Sequence, residues 1–445
     1  MAEIDEIKDL TRKLEPLLGG QAENLWNWWL TSRTPIEVLE NKQLLRSIGE
    51  RELGVSFSDP IRLPPPSQEL LKGKYQLGEV IYPDQVYTKV GLTDEDFPRH
   101  ILIVGMTGVG KTNQTYNILQ ELARHNKPFL VFDWKQNYRH LKRLPEFEEL
   151  NVFRLGDTDC SFKFNPLIPP PGTQARHWLT LLVDVLKHAY FFAHGAEYYF
   201  RKGIDELYTR FGVYDGKTVY PTFHDVEKIL LKEFVRGREM LWMSSAKRSL
   251  ASLTFPGLMG DIVDIRENHN LSELLNKQVV IELDNLATIE KIFVTEALLL
   301  WIYHYRKSQN TRNDFKHAIV IEEAHHIASG HKEQIMGEET VVESTIRMIR
   351  EFGESIIAID QEPGKLSDSL LANTNTKICF TLGNGKDITA MARAMSLRQD
   401  EQQYIDKLKV GHALVKMKDR FPDPVQVKFP LFGIERRTGV GKNFL

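Results

Sequence analysis

The feature that most constrains this chain is a complete phosphate-binding loop. Residues 105–112 read Gly-Met-Thr-Gly-Val-Gly-Lys-Thr and satisfy the pattern G-x-x-x-x-G-K-S/T in full. An apolar stretch, HILIVG, precedes the loop, and a helix-patterned stretch, TNQTYNILQELARHN, follows it. The glycines let the backbone curl, so that successive N–H groups and the start of the helix face phosphate oxygens. The order strand, loop, helix therefore indicates an α/β nucleotide-binding fold.

We expect this loop to bind ATP together with Mg²⁺. Lys111 would reach the β- and γ-phosphates as a point charge, and the Thr112 hydroxyl would coordinate the metal. The other predicted nucleotide-binding residues are Gly105, Thr107, Gly108, Val109 and Gly110. The alternative is a glycine-rich turn with a chance lysine, which the flanking strand and helix disfavour. A second Gly-Val-Gly-Lys at 439–442 is rejected, because Arg436 stands at its first glycine position.

A second apolar stretch, residues 318–323, ends in two acids, Glu322 and Glu323. In phosphate-loop enzymes the first such acid orients Mg²⁺ through water, and the second activates the attacking water. We therefore assign Glu322 to the metal and Glu323 to catalysis. The alternative is a solvated acidic strand end.

Four histidines surround this strand end: His317, His325, His326 and His331. Their spacing matches no zinc signature, and the adjacent His325 and His326 would point in different directions. We expect these side chains to pack or to form hydrogen bonds near the nucleotide, in preference to a metal site.

Length and charge bound the remaining possibilities. The chain has 445 residues, with 57 Lys and Arg against 60 Asp and Glu, a net charge of −3. This balance excludes a broad basic surface for nucleic acid, so any such contact must be local. The polar start MAEIDEIKDL is not a signal peptide, and the longest apolar run is too short to span a bilayer. With only two cysteines, Cys160 and Cys379, these features predict a cytoplasmic protein with no membrane contact.

The chain divides into four predicted segments. Residues 1–66 have helical periodicity and end in a Pro-rich linker; residues 67–172 contain a β ribbon and the first part of the core. Residues 173–277 are mostly helix-patterned, and residues 278–445 hold the second part of the core and a C-terminal tail. Further buried strands are predicted at KPFLVFD, QVVIELD, HAIVIEE, ESIIAID, TKICFTL and GHALVKM. Strands that alternate with helices predict a mostly parallel sheet, interrupted by a helical insertion.

Five motifs, in this order, resemble the HerA–FtsK superfamily of hexameric ATPases, and they are most like HerA-type ATPases. They are HILIVGMTGVGKTNQT, VFDWKQNY, the Phe164-Asn165-Pro166-Leu167 turn, VIEEAHH, and Arg350-Glu351-Phe352-Gly353 followed by IIAIDQEPGKLSDSLLANTNTKICFTLGN. The resemblance covers about residues 75–430. It implies a RecA-like P-loop ATPase core that assembles as a homo-hexameric ring, with ATP at the subunit interfaces.

The resemblance also assigns roles to single residues. Gln361 aligns with the polar group that senses the γ-phosphate, and Arg350 aligns with the basic residue that reaches a neighbouring subunit's nucleotide. Such an arginine would stabilise charge on the transferred phosphoryl group, whereas a surface helix ion pair is the alternative. Asp133 and Lys135 remain open between support of the nucleotide site and packing at a strand end.

The chain departs from the family pattern in two places. Gln136 and Asn137 replace the acidic residue expected after the lysine of the second motif, which weakens any role for that turn. The N-terminus has a helical pattern where HerA proteins usually begin with a small β-barrel. It carries Trp26, Trp28 and Trp29, which could stack on single-stranded bases but which we expect to pack in a core or to dock a partner protein.

The resemblance implies an ATP-driven translocase or helicase on double-stranded DNA, working with a nuclease or another effector protein in DNA repair or phage defence. A ring contacts DNA through a few loops, so a net charge of −3 is compatible with this function. The polar segment 328–344 is the candidate pore segment, and a plain surface connection is the alternative. Two other functions stay open: a protein-translocating ATPase related to type IV secretion, and a nucleotide-controlled scaffold ring that activates a partner enzyme.

Overall fold

The structure, a computed structural model, describes residues 7–8, 11–12, 14–15, 18–32, 34–53, 61–83, 85–157, 162–192, 194–312, 314–331 and 340–433. Cys160, the central part of the candidate pore segment (332–339), residues 59–60 of the predicted linker and the C-terminal tail from residue 434 lie outside these ranges. The chain separates into two compact units, Met1–Ile61 and Arg62–Leu445.

The helices given for the first unit are α1 (Gly20–Leu30) and α2 (Pro35–Leu53). The unit has a small core of its own, formed by Ile7, Leu14, Ala22, Trp29 and Leu45. Trp26 stacks on Trp29 with ring centroids 5.6 Å apart, while Trp28 is 37% exposed. Two of the three clustered tryptophans are therefore used for packing, as the sequence predicts.

The strands of the second unit are β1 (Tyr75–Ile81), β2 (Val86–Leu92), β3 (Ile101–Val104), β4 (Phe129–Asp133), β5 (Asn151–Arg154), β6 (Gln278–Glu282), β7 (His317–Glu322), β8 (Glu354–Asp360), β9 (Thr376–Cys379), β10 (His412–Met417) and β11 (Phe421–Lys428). They form an 11-stranded sheet in the order β2-β1-β11-β10-β9-β3-β8-β7-β4-β6-β5. The pairs from β9 to β5 are parallel, and the pairs from β9 to β2 are antiparallel. The predicted mostly parallel sheet is confirmed.

Two strands, β5 and β11, are absent from the sequence-based prediction. β5 is a four-residue edge strand, and every one of its residues is partly exposed, so it lacks the apolar pattern of a buried strand. β11 contains Pro422 and Pro424, which have no N–H to donate and argue against a strand. The sheet tolerates both prolines because they lie in an irregular stretch, between the Val415–Val425 and Met417–Phe421 pairs.

The described residues of the second unit form the helices α3 (Gln68–Leu71), α4 (Lys111–Arg124), α5 (Ala175–Tyr190), α6 (His194–Phe211), α7 (Phe223–Lys232), α8 (Glu239–Leu253), α9 (Met259–Val263), α10 (Leu271–Leu274), α11 (Thr288–Ser308), α12 (Val341–Ile349), α13 (Asp368–Asn373) and α14 (Gly385–Met395). Helices and strands together bury a continuous core, in which all four residues of β3 are fully buried. Among the described residues, no helix is both long enough and apolar enough to cross a membrane.

Helices α5 to α10 form the predicted helical insertion, which leaves the sheet after β5 and returns at β6. Its first turn is fixed by the fully buried Asn165, whose Nδ2 donates to the Pro221 carbonyl at 2.9 Å and whose Oδ1 accepts the Leu167 N–H at 2.9 Å. The Trp178 indole N–H donates to the Pro166 carbonyl at 2.8 Å, which ties α5 to the same turn. The Asn-Pro-Leu motif therefore anchors the insertion.

A buried charged network fixes the amino-terminal edge of the central strands. Glu354, at the start of β8, is fully buried and pairs with Arg306 Nε at 2.5 Å and with His317 Nδ1 at 2.7 Å. Burial alone would raise the pKa of Glu354, but the His317 and Arg306 contacts outweigh it and hold this pKa below its usual value of 4.5. The network joins the end of α11 to the first residues of β7 and β8.

We expect Glu354→Gln to lower the free energy of unfolding by about 3–5 kcal/mol, because it leaves Arg306 buried without its carboxylate. The loss should be largest at neutral pH. A carboxylate whose pKa is depressed by folding adds stability above its unfolded pKa, and this contribution disappears as the pH falls through the folded pKa. Urea unfolding of wild type and variant, at pH 7 and at about pH 3.5, measures both effects.

Glu351→Gln is the matched control. Its carboxylate lies 3.9 Å from Arg312, and the two side chains are 53% and 61% exposed, so we expect a change below about 1 kcal/mol. Equal effects of the two substitutions would show that the buried network contributes nothing beyond a surface pair.

Candidate active site

The carboxyl ends of β3, β8, β7 and β4 are neighbours in the sheet, and a cavity of about 380 Å³ opens at this edge. It is lined by Thr107, Gly108, Gly110, Lys111, Thr112, Asn113, Lys135, Asn137, Glu322, Glu323, Ile359, Asp360 and Gln361. The parallel sheet therefore brings together the phosphate loop, both predicted acids and the predicted sensor.

The phosphate loop has the conformation that its glycines predict. Gly108 and Gly110 have φ angles of 82° and 119°, in the left-handed region that favours glycine, and α4 begins at Lys111. At Gly105 a Cβ atom would lie 2.6 Å from Phe380 Cβ, so no larger residue fits there. The Val109 side chain is buried in the core, so of this residue only the backbone remains for phosphate binding.

Lys111 is buried, and its Nζ donates to the carbonyl oxygens of Gly105 at 2.6 Å and Met106 at 2.7 Å. Burial lowers the pKa of Lys111 to about 8, against the opposing effect of Glu323. The ammonium group thus lies inside the curl of the loop, where phosphate oxygens would replace the carbonyl contacts.

Glu322 is buried at the end of β7 and accepts three hydrogen bonds. The donors are the Trp134 N–H at 3.2 Å, Asn137 Nδ2 at 3.3 Å and the Tyr138 hydroxyl at 3.1 Å. Burial, reinforced by the charge of Asp133, raises the pKa of Glu322 to about 7. A cation bound nearby would restore the ionised form. Thr112 lines the same cavity, and oxygen donors such as its hydroxyl and the Glu322 carboxylate suit Mg²⁺, a hard cation that keeps several waters.

Glu323 follows Glu322 with φ 49° and ψ 48°, a left-handed conformation that is uncommon for a residue other than glycine. Its Oε1 accepts Gln361 Nε2 at 2.8 Å and pairs with Lys135 Nζ at 2.5 Å. Gln361 Oε1 in turn accepts the Thr107 hydroxyl at 2.6 Å. The turn that follows β7 therefore directs this carboxylate towards the phosphate loop, with Gln361 joining the two.

Asp360, the last residue of β8, is a site residue that the sequence-based prediction omitted. It accepts the His325 N–H at 2.7 Å, His325 Nδ1 at 2.9 Å and the Glu362 N–H at 2.8 Å. The contacts with His325 outweigh burial and lower the pKa of Asp360. A charged residue at the end of a buried strand, directly before Gln361, was the signal available in the sequence.

Three of the four histidines, His317, His325 and His326, contact other side chains. Ligand atoms of Glu323, His325 and Asp360 lie within 4.8 Å of one another, but hydrogen bonds from protein groups already use Asp360 and Glu323. His326 stacks on Trp134 with ring centroids 4.7 Å apart. His317 belongs to the network with Glu354 at the opposite edge of the sheet.

The turn after β4 belongs to the site. Asp133 is fully buried; its Oδ1 accepts the Lys135 N–H at 3.0 Å, and its Oδ2 accepts the Tyr138 N–H at 3.1 Å. Both Lys135 and Asn137 line the cavity. Asn137 thus contributes an amide contact to Glu322 at the place where the family pattern has an acid.

Arg350 does not reach the cavity of its own chain. It lies in a short 3-10 segment directly before β8, whereas Gln361 follows the end of that strand, roughly 20 Å away at 3.3 Å per residue. Its charge adds to burial in lowering the pKa of His100, which precedes β3, to about 4. In the described part of the chain, the neighbouring ion pair is Arg312–Glu351 and does not include Arg350. Arg350 is exposed at the edge opposite to the phosphate loop.

Comparison with known proteins confirms the resemblance to HerA-type ATPases. Residues 75–236 match the family described as "Helicase HerA, central domain". A probable helicase of Methanocaldococcus jannaschii is 23% identical over 364 residues, which are 78% of this chain and 66% of that protein. The DNA double-strand break repair helicase HerA of Saccharolobus solfataricus is 23% identical over 362 residues, with 77% and 66% covered. The chain thus spans just under two thirds of the length of these curated relatives.

Solved structures share the fold. VirB4 of Thermoanaerobacter pseudethanolicus superimposes with a TM-score of 0.62 at 15% identity, over 81% of this chain and 99% of that one. The plasmid coupling protein TrwB in complex with ADP and Mg²⁺ superimposes with a TM-score of 0.57 at 14% identity, over 86% and 97%. The predicted RecA-like P-loop fold is confirmed.

We expect Lys111→Ala to weaken ATP binding at least about tenfold, because a charge-assisted hydrogen bond contributes about 1.5–3 kcal/mol. Titration with a fluorescent ATP analogue measures the dissociation constant. Lys442→Ala, in the Gly-Val-Gly-Lys sequence that lacks the first glycine, should bind as wild type does. If Lys111→Ala bound ATP as tightly as wild type does, the phosphate loop would not be the ATP-binding element.

Proposed function

We propose that this chain is an ATP-hydrolysing ring motor of the HerA type, a homo-hexameric translocase or helicase that acts on double-stranded DNA. The observation that carries the proposal is the Glu323 carboxylate, which shares one cavity with the phosphate loop and is joined to it through Gln361 and Thr107. A positioned carboxylate beside a phosphate-binding loop is the arrangement that water attack on a γ-phosphate requires. The match to the HerA helicase family supports the assignment to DNA.

Hydrolysis would use the chain's own residues in three roles. The loop N–H groups and Lys111 hold the β- and γ-phosphates, and Glu323 takes a proton from the attacking water. Gln361 contacts Glu323 and Thr107 together, so a change in the terminal phosphate reaches the base through it. Mg²⁺, when bound at Thr112 and Glu322, would neutralise phosphate charge.

The ring and the partner rest on the HerA resemblance. Arg350 would act on the nucleotide of a neighbouring subunit, a role supported by its exposed position far from its own cavity. DNA would pass through a central pore and contact segment 328–344, which begins shortly after the catalytic acids. A nuclease or another effector protein would use the translocated DNA.

A second function is supported by the fold comparison. VirB4 and TrwB share this architecture over most of their length, so a secretion-type ATPase that moves protein is the alternative. Co-purification with membrane channel components, in place of a nuclease, would favour it.

We expect double-stranded DNA to stimulate ATP hydrolysis by the wild-type chain, because a translocase couples turnover to its track. Glu323→Gln should bind ATP with near wild-type affinity and hydrolyse it at least about 100-fold more slowly, since it loses the general base. Phosphate release measured with and without linear duplex DNA tests both statements. Turnover that no form of DNA changes would contradict the DNA assignment, while leaving the ATPase in place.

Arg350 generates a separate prediction about assembly. Lys111→Ala and Arg350→Ala should each be inactive alone, and mixing them should restore part of the ATPase activity. A restored site would combine the intact cavity of an Arg350→Ala subunit with the Arg350 of a Lys111→Ala neighbour. Glu351→Ala, exposed beside Arg350, is the matched control and should stay active alone. Mixed assemblies that form by size-exclusion chromatography yet remain inactive would contradict the role in trans.

A further inference from the structure

Lys135 makes the closest contact to the proposed catalytic base. Its Nζ lies 2.5 Å from Glu323 Oε1, and both residues line the nucleotide cavity. The other nearby cationic groups are used differently. Lys111 donates to two loop carbonyls, and His325 is bound to Asp360, with its Nδ1 3.8 Å from Glu323 Oε2.

The contacts on the two oxygens of Glu323 are unequal. Oε1 receives both Lys135 Nζ, at 2.5 Å, and Gln361 Nε2, at 2.8 Å. Within the described residues, the neighbour of Oε2 is the more distant His325 ring, with Nδ1 at 3.8 Å. Two donors therefore hold Oε1 in place, and Oε2 can accept a proton from water.

The backbone around Lys135 is fixed independently of this ion pair. Asp133 accepts the Lys135 N–H at 3.0 Å, and the Trp134 ring stacks on His326 at an interplanar angle of 3°. Trp134 supplies the packing at this strand end, being 7% exposed, whereas the Lys135 side chain is 51% exposed. A half-exposed ion pair adds little to stability, so the fold does not require Lys135.

We propose that Lys135 is a positioning residue for ATP hydrolysis, which together with Gln361 fixes Oε1 of Glu323 so that Oε2 meets the attacking water. This inference rests on the proposed ATPase function. In the step concerned, water gives a proton to Oε2 while its oxygen bonds to the γ-phosphorus. The bond from phosphorus to the bridging oxygen breaks, the electron pair stays on ADP, and Glu323 later returns the proton to solvent.

The test is steady-state ATP hydrolysis by the full chain carrying Lys135→Met. We expect kcat to fall about 10- to 100-fold, because a misplaced base loses that much, while KM for ATP stays within about twofold. Lys135→Arg should recover most of kcat, since a guanidinium also pairs with a carboxylate. Lys202→Met, which breaks a comparable pair with Glu233 at 2.7 Å in the helical insertion, should hydrolyse ATP as wild type does.

Either of two results with Lys135→Met would overturn the inference. One is an unchanged kcat in Lys135→Met. The other is a raised KM with kcat retained, which would make Lys135 a nucleotide-binding residue. If circular dichroism shows that Lys135→Met does not fold, the test compares kcat of Lys135→Arg with that of Lys135→Gln. Equal kcat values in these two variants would also overturn the inference. Failure of the proposed ATPase function is distinguishable, because the wild-type chain itself would then hydrolyse no ATP.

Discussion

The site depends on how the negative charges of four carboxylates, gathered at one edge of a parallel sheet, are compensated by neighbouring groups. These carboxylates are Asp133, Glu322, Glu323 and Asp360. Without compensation such groups favour protonation, and the pKa of about 7 for Glu322 shows the effect. Lys135 compensates Glu323, and His325 compensates Asp360. Lys135 lies in the turn that follows β4, and His325 lies in the turn that follows β7. The turns therefore supply the compensating cations, and the order of the strands determines which carboxylate each cation meets.

Stability and function are divided between the two edges of this sheet. At the amino-terminal edge the Glu354 network and the buried His100, which accepts the Ile356 N–H at 3.1 Å, hold the strands together. At the carboxyl edge the polar groups line an open cavity, and one of their ion pairs, Lys135–Glu323, has a half-exposed lysine. Substitutions in the Glu354 network should therefore act mainly on folding, whereas those of Glu323 and Lys135 should act mainly on the cavity.

The sequence predicted the local part of this arrangement well. The phosphate loop, the apolar strands and the two acids at the end of β7 each depend on a few consecutive residues, and all are present. The contacts between distant residues, such as Asp360 with His325 or Lys135 with Glu323, depend on the strand order β3-β8-β7-β4, which periodicity does not encode. β11 was missed for a different reason, since its two prolines are accommodated by an irregularity in the pairing with β10.

The helical insertion joins β5 to β6, which are neighbouring parallel strands. Such a connection returns from the end of one strand to the start of its neighbour, and about a dozen residues are enough for this. Most of α5 to α10 is therefore not needed to connect the two strands. The Asn165 turn fixes the point where the insertion begins. Changes in the length or surface of this region would therefore leave the strand order at the phosphate loop unaltered.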